Sequence, residues 1–194
     1  MALLGPLLKA RRNRDGESAW NRPNLNGPAS ITVTSTAFVE GGQIPRVHAG
    51  KRAGGSNLSP SLAWSHLPDG TSEVLLVVED VDVPTSKPFV HCLALLDPTL
   101  LVDPNGPPEG SLSNGQPAAG VTLLRSTVAR GYFGPEPLKG HGPHRYSFQL
   151  FALTGAPLVS VVGTDLLEMK AGDVLDAVTS TVLARGRVSG TYER

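Results

Sequence analysis

A single cysteine, Cys92, stands among 194 residues, so no disulfide can close within the chain and the multi-thiol metal frameworks are excluded. A lone thiol fits a reducing, cytoplasmic address. Net charge is also missing, because 17 basic residues balance 17 acidic ones. Without a global field, neither nucleic acid nor an anionic membrane is recommended as a partner. Long apolar runs are absent too. None approaches the ~20 residues that cross a bilayer, so no transmembrane segment is expected. The first residues, MALLGPLLKARRNR, carry their apolar part ahead of their basic part, the reverse of a secretory signal. The Arg11–Arg12 pair has no apolar segment after it, which argues against twin-arginine export. No internal repeat is visible.

What is present is turn-forming residues. Gly (22) and Pro (17) are enriched, while 40% of residues are hydrophobic. That combination favours short strands and many turns over long helices, and its periodic apolar runs argue against disorder. The length suits one domain with a sizeable core. Residues 1–30 are expected to form a loosely ordered extension, with a solvated basic patch at Lys9, Arg11, Arg12 and Arg14 and a turn-rich linker. Residues 31–194 are expected to form the domain.

The centre of the chain is Glu73 to Leu96, EVLLVVEDVDVPTSKPFVHCLALL. Val74 to Val78 is continuously apolar, which predicts a strand covered on both faces. Asp80 and Asp82 follow its end. In extended chain their spacing puts both carboxylates on one side, roughly 7 Å apart at about 3.3 Å per residue. Pro84 and Pro88 force a turn. His91 then opens a second apolar run, on the face of Leu93 and Leu95 by simple alternation.

Flanking segments are read more coarsely. Ile31 to Phe38 is β-prone, and Asn57 to Trp64 leads into a strand in which Trp64 is a core anchor. His48, His66 and His141 are expected on surface loops. Asp97 to Gly120 is a long irregular excursion, and Val121 to Tyr132 is ambiguous. The Gly/Pro-dense stretch from Gly131 delivers HRYSFQLFAL, predicted as a half-exposed strand. Its inward face carries His144, Tyr146, Phe148, Leu150 and Ala152, and Arg145, Ser147 and Gln149 share the other face. Asp165 to Met169 and Asp173 to Leu183 read as helices, with a short strand closing the chain. The tally is a mainly β, sandwich-like domain with a few peripheral helices.

Four ordered motifs together resemble the phosphatidylethanolamine-binding protein family, with its Raf-kinase-inhibitor-like and bacterial YbhB/YbcL-type branches. Ser59-Pro60, Leu62 and Trp64 stand for S-P-x-L-x-W. Asp80, Asp82 and Pro84 stand for D-x-D-x-P, and His91 for the strand histidine. Gly134-Pro135, Gly140, Gly142 and His144-Arg145-Tyr146 stand for G-P…G-x-x-H-R-Y. The resemblance runs from Ile31 to the C-terminus. Cys92 departs from the family's frequent Trp, Val81 and Val83 from its usual small positions, and Glu136 and Leu138 from its G-P-C-P-P loop. These departures bear on ligand preference.

The resemblance implies a β-sandwich whose small pocket binds a phosphate-type anion or a phosphoethanolamine-like headgroup. It implies binding without turnover and without a cofactor. The implied ligand residues are Asp80, Asp82, His91, Gly134, His144 and Tyr146. Carboxylates near a histidine favour its charged form, so His91 or His144, held as imidazolium or in a fixed tautomer, is expected to donate to an anion. Tyr146 and the backbone N–H groups of the Gly134 loop are expected to help. The acids would suit an ammonium group. A kinase or protease partner and a homodimer are further implications of the resemblance. Two alternatives stay open: a phosphohydrolase built on the D-x-D, and a metal site using Asp80, Asp82, His91 and His144.

Overall fold

The structure, a computed structural model, describes residues 4–8, 15–101, 105–156, 158 and 164–194. Within them the chain is mainly β, with two antiparallel sheets and few helices. In chain order the elements are α1 (Leu4–Leu8), β1 (Val33–Thr34), β2 (Ala63–Trp64), β3 (Glu73–Asp80), β4 (Phe89–Leu96), β5 (Val121–Leu123), β6 (His144–Leu153), α2 (Ala171–Ala177) and β7 (Val182–Tyr192). The larger sheet runs β5-β4-β3-β6-β7, and β1 pairs with β2 in the smaller one.

β3 and β4 are buried along almost their whole length, because each face of the sheet has its own cover. Val74, Leu76, Val78, Cys92 and Phe148 pack against Ile31, Phe38, Ile44, Leu62, Trp64 and Tyr132. Leu75, Val77, Leu93, Leu95 and Phe151 pack against Ala19, Leu25, Val174 and Leu175 on the opposite side. Trp64 is in the core, as expected. Cys92 is enclosed there, and burial pushes its thiol up to about 12.

Three expectations need correction. β6 is not half-exposed: Ser147 and Gln149 are as buried as their apolar neighbours, and Arg145 alone is open to solvent. The missing cover is the segment 15–25, whose Ala19 N–H donates to Glu79 Oε2 at 2.9 Å. Within that segment Ser18, Ala19 and Leu25 are buried, and the basic residues 9–14 lie outside the described residues. The late helix ends at Ala177, and Val182 and Leu183 already belong to β7. Thr179, Thr181 and Val182 are stiff at χ1 and poor in helices, and β7 gains a full ladder with β6. The earlier predicted helix is a single 3-10 turn, Thr164–Leu167.

Candidate functional site

A bulge puts the first site residue in place. Val78 pairs with Cys92 but Glu79 pairs with Val90, so His91 is an extra residue on β4. At such a bulge two successive side chains turn toward one side. His91 therefore leaves the Leu93/Leu95 face and joins Cys92, its ring edge-on to Tyr146 at 5.1 Å between centroids. Plain alternation had placed it on the wrong face.

Asp80 ends β3 opposite Phe89 on one side and Tyr146 on the other. Its Oδ2 lies 2.7 Å from His144 Nδ1, with both residues buried. Its Oδ1 accepts the Asp82 N–H at 2.9 Å. That local bond closes a turn, so the chain bends and the two aspartates part. Asp82 instead faces Arg145, accepting its backbone N–H (2.8 Å), Nε (2.9 Å) and Nη2 (3.0 Å). It does not line the pocket, and the expectation of two convergent carboxylates fails there.

Burial pulls the Asp82 carboxyl upward, but the Arg145 hydrogen bonds and charge outweigh it and hold the group below its usual value. A depressed folded value stabilises the fold above the unfolded one and loses that stabilisation as pH falls through the folded one. Below about pH 4, near the ordinary value of 3.8, Asp82→Asn should therefore lose stability less steeply than the parent chain. Denaturant midpoints measured across the acid range check this, and parallel slopes would show that Asp82 carries no such share.

His141 is buried, not on the surface. Its Nδ1 lies 2.6 Å from His144 Nε2, and its Nε2 lies 2.8 Å from the Leu8 carbonyl of α1. The run Asp80–His144–His141–Leu8 thus ties the end of β3 to α1 through two buried rings, with an acceptor at each end. His48 is likewise buried, its Nδ1–H donating to the Leu58 carbonyl at 2.9 Å. His66 is exposed, as expected.

The His91 Nδ1–H donates to the Phe133 carbonyl at 2.5 Å. Burial lowers its basicity, outweighing the Asp80 charge and the Phe133 bond, which act the other way. The ring is neutral, so Nε2 carries a lone pair and accepts. The expected imidazolium donor at this position is corrected to an acceptor. Tyr146 Oη is buried beside Asp80 without a hydrogen bond of good geometry, and burial together with that carboxylate pushes its ionisation far up.

Asp80, His91, His144 and Tyr146 line a pocket of about 100 Å³ with Pro84, Phe89, Phe133, Glu136 and Leu138. Gly134 does not line it. Its N–H is spent on Asn57 Oδ1 at 2.8 Å, so the loop offers no glycine N–H there. Cys92 is not in the wall either, and Glu136 at the mouth accepts the Arg52 N–H at 2.7 Å. Neither Lys nor Arg contributes to the lining. Among the described residues, no three or more His, Cys, Asp or Glu side chains are placed to hold a metal ion.

A sequence model described as phosphatidylethanolamine-binding protein matches residues 34–193. The chain belongs to that family. Among its relatives, a UPF0098 protein of Aquifex aeolicus is 31% identical over 173 residues, covering 87% of this chain and 91% of the relative. A UPF0098 protein of Mycobacterium tuberculosis is 32% identical over 165 residues, covering 84% and 70% respectively. The crystal structure of E. coli YbcL, described as a member of the mammalian PEBP family, superposes with a TM-score of 0.71 at 27% identity, covering 86% of this chain and 99% of that one. Members of the family are in general ligand-binding proteins rather than enzymes. No described helix is long and apolar enough to cross a membrane.

The missed residues are His141, Phe89 and Phe133. His141 stands three residues before His144 in GHGPH, a proximity that could have flagged it. Phe89 and Phe133 flank His91 at 4.7 and 5.8 Å between ring centroids, and nothing local in the sequence pairs them.

Proposed function

We propose that this protein binds, without chemical turnover, a phosphate-type anion or a phosphoethanolamine-like headgroup in the Asp80–His91–His144–Tyr146 pocket. The carrying observation is what the polar groups of the wall still offer. His91 Nε2 accepts, the Tyr146 hydroxyl has no hydrogen bond of good geometry, and the Asp80 oxygens, one held by His144 and the other by the Asp82 N–H, keep lone pairs for a further bond. Two of the three favour a ligand that brings a proton of its own. The end that enters is therefore an ammonium or a protonated phosphate oxygen, with the Tyr146 hydroxyl donating to an unprotonated oxygen. A fully ionised phosphate would meet no Lys or Arg in the wall, and burying an unmatched charge is expensive. Regulation of a kinase or protease would follow from occupancy of this pocket. A cytoplasmic address belongs to the same reading.

Calorimetry with phosphoethanolamine and with inorganic phosphate tests it. His91→Ala should weaken phosphoethanolamine binding by about tenfold, the loss of one good hydrogen bond to a charged group, and His144→Ala should weaken it by a similar factor through the Asp80 carboxylate that His144 holds in place. Undiminished affinity in both variants would remove the mechanism. Because His91 is neutral in the fold, affinity should stay level as pH rises from about 6.5 towards 8.5, before the ammonium itself titrates. A steady fall over that range that persists in His91→Ala would make the protonated phosphate oxygen the entering group, and a fall abolished in that variant would restore an imidazolium donor at His91.

A further inference from the structure

A larger cavity, of about 500 Å³, lies on the flank where β4 begins. That is well within the range of small-molecule sites, roughly 300–1,000 Å³. Its wall gathers cations from four separate segments: Arg22 ahead of the first strand, Lys87 in the β3–β4 connection, Arg125 just after β5, and Lys170 ahead of α2. The chain's formal charge is zero, so this concentration is local.

Two acids, Glu17 and Glu79, share the wall. Glu79 is already engaged by the Ala19 N–H and the Gln149 amide, and burial raises its carboxyl, weakening any charge it sets against the cations. Arg22 is matched through Nη1 by Asp176, yet its Nε is buried without a partner. Nearby Arg130 is matched by Glu168. Lys87, Arg125 and Lys170 have no carboxylate partner among the described residues. A cavity walled by several unmatched cations is suited to a ligand with more than one negative group.

We propose that this cavity is a second ligand site, taking a small polyanion of the diphosphate or polycarboxylate kind. It stands independently of the function proposed above, because none of its cations lines the smaller pocket. The two cavities share Phe89 as a common wall.

Calorimetry with inorganic pyrophosphate and, separately, with citrate tests the proposal and distinguishes its two chemistries. One of the two should bind, and Arg125→Glu and Lys170→Glu should each weaken it by about tenfold or more. Both positions are exposed, so the variants should keep the parent's circular dichroism. Arg125→Glu should leave phosphoethanolamine binding unchanged. Failure of both anions to bind at millimolar concentration, or binding indifferent to both reversals, would overturn the second site. Loss of phosphoethanolamine and polyanion binding together in Arg125→Glu would overturn its independence.

Discussion

Asp80→Ala should destabilise the fold by about 1–3 kcal/mol, the cost of leaving buried polar groups without their partner. Asp80 is 2% exposed and answers two groups at once, the His144 ring and the Asp82 N–H. Its loss leaves both without that acceptor and frees the ring through which α1 is tied to the sheet. Asp82 makes more hydrogen bonds, yet its partner Arg145 is 44% exposed. Exposed pairs contribute only about 0–1 kcal/mol, so Asp82→Ala should be the milder change. Denaturant unfolding of both variants ranks them. A loss below about 1 kcal/mol for Asp80→Ala would mean that its two buried bonds are worth no more together than one ordinary hydrogen bond. Asp80→Asn keeps the volume and an acceptor for Asp82 but not the charge, and should fall between parent and alanine.

The frame of this site was legible because its signals are local. Val74 to Val78 and the run from His91 to Leu96 announce buried strands by composition, and they pair with each other as β3 and β4. His144 and Tyr146 alternate onto one face at the regular start of β6, well before its register shift at Ala152/Leu153, and both reach the pocket. The errors came where a short-range rule met a long-range contact. One bulge at Val78/Glu79 transfers His91 between faces, and no composition signal marks it. One side-chain bond from Asp80 to the Asp82 N–H separates two acids that extended geometry keeps together. Ser147 and Gln149 look like solvent-facing residues until the segment 15–25 is laid over them, a contact spanning 60 residues in the Ala19–Glu79 bond. Protonation states were the least legible of all. Whether a histidine donates or accepts is set by what its other nitrogen touches, and for His91 that is a carbonyl 42 residues away.

Gly134→Ala should be damaging although it lies outside the pocket wall, lowering stability by about 1–3 kcal/mol as overpacked cores do and weakening phosphoethanolamine binding without touching the ligand. A Cβ at this position would sit 2.2 Å from the His48 carbonyl oxygen and 2.6 Å from both the Ala49 carbonyl carbon and the Gly50 nitrogen. All three are backbone atoms that cannot swing aside. The close approach is enforced from several directions: Gly50 N–H donates to Pro135 O at 3.1 Å, Tyr132 Oη donates to His48 O at 3.1 Å, and Asn57 holds both Tyr132 O and the Gly134 N–H. Any outward shift of Gly134 carries the Phe133 carbonyl with it, and that carbonyl fixes the His91 tautomer. Affinity should then fall by about tenfold, the worth of one well-placed hydrogen bond, because His91 Nε2 would no longer be held as an acceptor. Nitrogen chemical shifts of the His91 ring report the tautomer directly and separate this route from general loosening. A Gly134→Ala protein with the parent's stability, the parent's affinity and an unchanged His91 ring would show that the loop yields, and that the glycine is not what positions the histidine.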